Sequence, residues 1–170
     1  MQTLLNDVRD ILAATGHFRY IDEDWGQLDE YNPNPPTKWP CALVDIVEAK
    51  PTQAGNKTQL LQCNVLIRIA AYRLNPSSQG APAAKRDKAE QLFSIAQGIF
   101  AQLHGWHKQG SNYGSLSRTG FRRMRRDDGI REYQVLFSTA LKDNDASPQT
   151  TDRSPDVPET IMPKVTVLKL

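Results

Sequence analysis

The chain has 170 residues, a length that suits one compact domain with tails, and 39% of them are hydrophobic; that falls below the ~45–50% usual for globular chains when glycine is counted too, so part of the chain is expected to form no core. Net charge is +2 but uneven: residues 1–50 carry four Lys/Arg against nine Asp/Glu, residues 51–142 fourteen against five, and residues 143–170 three against five. No apolar run approaches the ~20 residues that cross a bilayer, so no membrane partner is expected. Met1 to Asp7 lacks the basic start and unbroken apolar stretch of a secretory signal, so a reducing cytosol is the expected compartment.

Leu4, Leu5, Val8, Ile11 and Leu12 recur at helical spacing before Gly16, which predicts a short amphipathic helix with Asn6, Asp7, Arg9 and Asp10 on its wet side. Tyr20 to Trp39 mixes acids and aromatics with Pro33, Pro35 and Pro36 and reads as an extended loop. Pro40 to Glu48 has the continuous apolar middle of a strand inside a sheet. Pro51 to Asn56 reads as a turn. Thr58 to Tyr72 alternates, with Leu61, Cys63, Val65, Ile67 and Ile69 on one face and Gln62, Asn64, Arg68 and Tyr72 on the other. Period two over that length predicts a long strand, antiparallel to the one before.

After a loop of Pro, Ser and Gly from Asn75 to Pro82, the stripe Ala89, Leu92, Phe93, Ala96, Ile99, Phe100 and Leu103 predicts a second helix, with Gly105 as its stop. Ser115 to Arg126 and Ile130 to Leu141 form a last strand pair around Asp127-Asp128-Gly129, where Asp-Gly allows the positive φ of a hairpin tip. The expected class is α+β: a four-stranded antiparallel sheet covered on one face by two helices. Residues 1–142 make up that domain. Residues 143–170 form an extension in which Pro148, Pro155, Pro158 and Pro163 precede the β-prone run Val165 to Leu170, a strand expected to add to an edge in its own domain or in a neighbour.

The search for chemistry finds no Gly-x-Ser-x-Gly, no His-Glu-x-x-His, no phosphate loop and no dinucleotide fingerprint. Cys41 and Cys63 are read as small buried side chains. His104 and His107 lack further ligands, and the acids Asp22, Glu23, Asp24, Asp29 and Glu30 lack the alternating spacing of a calcium loop. No catalytic, cofactor-binding or metal site is expected.

The cluster Arg122, Arg123, Arg125 and Arg126 is different, because a strand projects such residues to both faces. Three readings stand open: contact with DNA phosphates, pairing with a neighbour's acids such as Asp22, Glu23 and Asp24, or an exposed arm whose charge deters aggregation. No aromatic interleaving supports a platform for stacked bases.

Lys38-Trp39-Pro40-Cys41-Ala42-Leu43-Val44, the strand Gln62 to Tyr72, and the helix from Ala89 to Leu103-His104-Gly105 together resemble the tail terminator and tail-completion proteins of long-tailed bacteriophages. The resemblance covers residues 1–142 and rests on segment order rather than on a catalytic motif. It implies a non-enzymatic structural subunit of the virion tail, assembled in the bacterial cytoplasm. Such a subunit forms a homo-oligomeric ring, usually hexameric, at the head-proximal end of the tail tube, with tube and neck proteins as partners and no cofactor. The loop 31–40 and the extension 143–170 depart from a minimal member, which leaves a neck or baseplate component as an alternative. A small basic nucleic-acid-binding module using Arg122 to Arg126 and Arg131 is another, although near-neutral charge implies at most weak, non-specific DNA contact.

Overall fold

The computed structural model describes residues 1–29, 38–55, 57–72 and 75–144. Glu30, the proline-rich stretch 31–37 and the extension from residue 145 onward, with the expected strand Val165 to Leu170, lie outside the described residues. The elements run α1 (Gln2–Ala14), β1 (Tyr20–Glu23), β2 (Cys41–Gly55), β3 (Thr58–Tyr72), α2 (Ala83–Leu103), β4 (Ser117–Met124) and β5 (Ile130–Asp143). They build one five-stranded sheet in the order β1-β2-β3-β5-β4.

The sheet is mixed rather than wholly antiparallel. Tyr20–Glu23, expected as loop, pairs parallel to Cys41–Val44, while the other neighbours are antiparallel. The expected four-stranded sheet therefore gains a fifth strand. β1 is too short, at 4 residues, to show a period, and its pairing depends on a chain segment some twenty positions away. β2 also outruns its expected end, since Pro51 to Gly55 continue the ladder opposite Leu61 to Thr58. Proline is tolerated there because β2 is bonded on its β3 side, and the missing N–H falls on the outer edge.

Both helices pack on one face. Leu4, Leu5, Val8 and Leu12 of α1 and Leu92, Ile95, Ala96, Ile99 and Leu103 of α2 meet Ala42, Val44, Cys63, Val65, Ile67, Ile69, Tyr133, Val135 and Phe137. A 13-residue helix is marginal alone in water. Its hold comes from leucines such as Leu4 and Leu12, fully buried, each worth about 1.5–3 kcal/mol. α2 is turned slightly from expectation: Ile95 joins the core, while Phe93 is 39% exposed and sits edge-on to Phe121 and Tyr133.

Asp7 also departs from the expected wet side. It is buried, accepting hydrogen bonds from Lys108 Nζ at 2.6 Å and from Tyr113 Oη at 2.6 Å. Burial would raise its pKa, but these two partners outweigh that and hold it below the usual carboxylate value. The pair ties α1 to the connection between α2 and β4.

Period two sends the alternate residues to the opposite face, where no helix lies among the described residues. A smaller cluster of Leu28, Cys41, Leu43, Ala70 and Ile130, flanked by Tyr20 and Trp39, forms there under the segment that follows β1.

Candidate functional site

Arg68 stands at the middle of β3, the central strand, on the face away from the helices. Alternation assigned it to a polar face, yet it is only 6% exposed. Its guanidinium forms a fork with Glu132 of β5, Nε–Oε1 2.8 Å and Nη2–Oε2 3.3 Å. A second fork reaches Asp29, Nη1–Oδ2 2.9 Å and Nη2–Oδ1 2.7 Å, and Nη1 also donates to Asp24 at 3.1 Å. Paired donors at fixed spacing suit carboxylates, which is why arginine rather than lysine fits this place.

The network extends through the β4–β5 turn. Arg126 donates to Glu132 at 2.9 Å, to Asp128 at 2.5 Å and to the Leu28 carbonyl at 2.5 Å. Gln134 donates to Glu132 at 2.8 Å, and Arg122 donates to Gln134 at 2.6 Å. Burial alone would raise the Glu132 pKa; the bonds from Arg68 and Gln134 overcome it and leave the acid depressed. The Arg68 bond dominates in lowering Asp29, and Arg126 does the same for Asp128. Burial opposes the charge of Arg68, but Asp29 and Glu132 more than restore it. The network therefore pins residues 24–29 across the sheet and is internally satisfied.

The residues singled out from the sequence divide accordingly. Asp24 and Arg126 belong to the buried network. Asp22 is half-buried, accepting from Tyr20 Oη at 2.6 Å with Arg9 at 3.7 Å; the tyrosine bond foremost lowers its pKa. Glu23, Arg122, Arg123 and Arg125 are exposed. The arginines do point to both faces: Arg122 lies opposite Gln134, Arg123 opposite Tyr133 on the helix side. Arg118 shares that side, its guanidinium 3.8 Å from the Phe100 ring centre. Arg131 donates to the Ala89 carbonyl of α2.

Arg68, Glu132 and Gln134 were not singled out. The available signal was a lone arginine in an alternating strand and a lone glutamate in a β-rich one. Among the described residues no three His, Cys, Asp or Glu side chains are arranged to hold a metal ion, and no helix is long and apolar enough to cross a membrane. His104 Nδ1 accepts the Arg118 backbone N–H at 3.2 Å, and Cys41 and Cys63 are buried free thiols.

The strand order gives these charges their arrangement. Acidic β1 and arginine-rich β4 are the two outermost strands of one sheet, so opposite charges occupy opposite edges.

No protein-family model matches the chain, and no curated protein matches it in sequence. Solved structures do match: a chain of one titled "Virion of native gene transfer agent (GTA) particle" is 12% identical, with 82% of this chain and 92% of that chain covered and a TM-score of 0.49.

Proposed function

We propose that this chain is a structural subunit of a phage-like virion. More specifically, it is a non-enzymatic ring subunit that terminates or completes a tail tube and helps to join tail to head. The observation that carries the assembly reading is the placing of Asp22 and Glu23 on one outer strand and Arg122 and Arg123 on the other. Copies stacked edge to edge bring arginines of one against acids of the next. Repeated about an axis, that heterologous contact closes into a ring. The tail assignment rests on the likeness in segment order across residues 1–142.

Sedimentation at high protein concentration and low salt, alone and with a tail-tube protein, tests the reading. A closed cyclic oligomer is expected, and one that dissociates on the double change Arg123→Glu/Arg125→Glu. Both arginines are exposed, so the change leaves the fold intact. A strictly monomeric mass under all of these conditions would overturn it.

A further inference from the structure

Trp25 is the most exposed large hydrophobic side chain among the described residues, at 63%, yet its backbone is held firmly. Its N–H donates to Gln27 Oε1 at 2.9 Å, and the buried Gln27 amide donates back to the Glu23 carbonyl at 2.8 Å. Gly26 N–H donates to Asp24 Oδ1 at 3.1 Å, and Asp24 is itself held by Arg68. An indole presented on so fixed a turn loses little freedom on docking, which is one reason tryptophan anchors interfaces. Exposed Glu23 lies two residues before it.

Three aromatic rings meet at the other outer strand. Phe121 of β4 stacks on Tyr133 of β5, with centroids 5.6 Å and planes 22° apart. Phe93 of α2 meets both edge-on, at 5.9 and 5.7 Å. Tyr133 is buried beneath, while Phe93 and Phe121 keep part of their surface in solvent. Exposed Arg123, opposite Tyr133 in the ladder, stands two residues beyond Phe121.

We propose that Trp25 of one copy packs on the Phe93–Phe121 pair of the next copy, with Glu23 against Arg123. The inference rests on the ring reading and names the anchor of its edge-to-edge contact. Each side offers one aromatic and one charge two residues apart, and the charges are opposite: Glu23 and Trp25 against Phe121 and Arg123. Two residues span up to ~7 Å, so an antiparallel approach seats both pairs at once. The partner has to be a second molecule. β1 and β4 are four strand spacings apart in the sheet order, ~19 Å, which no side chain crosses. Aromatics with arginine beside them are the composition of an interface hot spot. Donor and receiver lie on different edges, so the contact is heterologous and repeats about an axis.

Mixing two variants of the full chain tests this. Trp25→Ala and Phe121→Ala should each raise the dissociation constant of self-association about tenfold or more, under conditions where the unaltered chain assembles. A retained cooperative urea transition is the folding control. Mixed together, the two should form a heterodimer that grows no further. Only the Trp25 of the Phe121→Ala copy and the aromatic pair of the Trp25→Ala copy are then intact. A charge exchange gives a second measurement that leaves the aromatics alone: Arg123→Glu should weaken assembly, and Glu23→Arg/Arg123→Glu should restore it. Normal assembly by Trp25→Ala or Phe121→Ala, or a mixture no heavier than its components, would overturn this anchor and leave the ring reading in place. Variants that self-associate normally but lose binding to a tail-tube protein would give the aromatic pair to that protein, and would equally sink the proposal. An unaltered chain that stays monomeric overturns both readings.

Discussion

Arg68 of β3 and Glu132 of β5, diagonal neighbours across the two strands, share two hydrogen bonds, and their side chains are 7% and 1% exposed. They lie far apart in sequence, so the pair forms only when both central strands are in register. Truncating Arg68 takes the fork away from the buried Glu132 and leaves Asp24, whose side chain is 9% exposed, without its cation. Arg68→Ala should therefore cost about 3–5 kcal/mol, measured as a fall in urea midpoint. The double change Arg68→Met/Glu132→Leu should recover only part of that loss, because it removes the buried Glu132 charge along with its partner while Asp24, whose side chain is 9% exposed, still loses the guanidinium. An additive double mutant would show that the two do not act as a unit.

Acid should loosen the same network. Glu132, Asp29 and Asp7 all have pKa values depressed by folding. Their contribution is complete above the unfolded carboxylate values near ~4. It is lost as pH falls through the lower folded values. The urea midpoint should thus stay level from about pH 7 to 5 and drop below about 4. Asp7→Asn should lower stability at pH 7 and flatten the acid slope. A midpoint that rises on acidification would refute the assignment.

These contacts show what local sequence pattern can and cannot convey. The face formed by Cys63, Val65, Ile67 and Ile69 was legible because one side of a long strand is buried, and α1 and α2 were legible by their apolar spacing. β1 was not, since four residues ending in Asp22 and Glu23 gain their order from pairing with β2. Pro51 marked a turn locally, yet an edge strand accommodates it. Arg68 looked solvated for the same reason that alternation works: period two specifies a face, but not what lies over it. Residues 24–29 cover that face here, and only tertiary structure reveals them.

The cysteines give a simple check on the packing of β2 and β3. Burial pushes the Cys41 thiol up to about 12 and raises Cys63 as well. The thiolate is the reacting form, and both sulfurs belong to fully buried residues. Native protein at pH 8 should leave both unreacted towards a disulfide reagent over minutes, and denatured protein should titrate two. Rapid labelling of either in native conditions would mean that the sheet opens readily at that strand.

Binding to DNA should be weak and without sequence preference. Net charge is +2, and two of the basic side chains most suited to phosphate are already occupied: Arg126 by Asp128 and Glu132, and Arg131 by α2. Arg123 and Arg125 remain exposed and have no ion pair among the described residues. Two such contacts release few counterions, so log K should fall with log salt with a slope of only about −2. Removing both, as Arg123→Ala/Arg125→Ala, should flatten that slope almost entirely while leaving the urea midpoint unchanged. Titration of labelled duplexes of unrelated sequence from 50 to 200 mM salt would measure it. Tight binding that survives the higher salt and prefers one sequence would favour the nucleic-acid module over the ring subunit, because exposed phosphate contacts alone supply neither property.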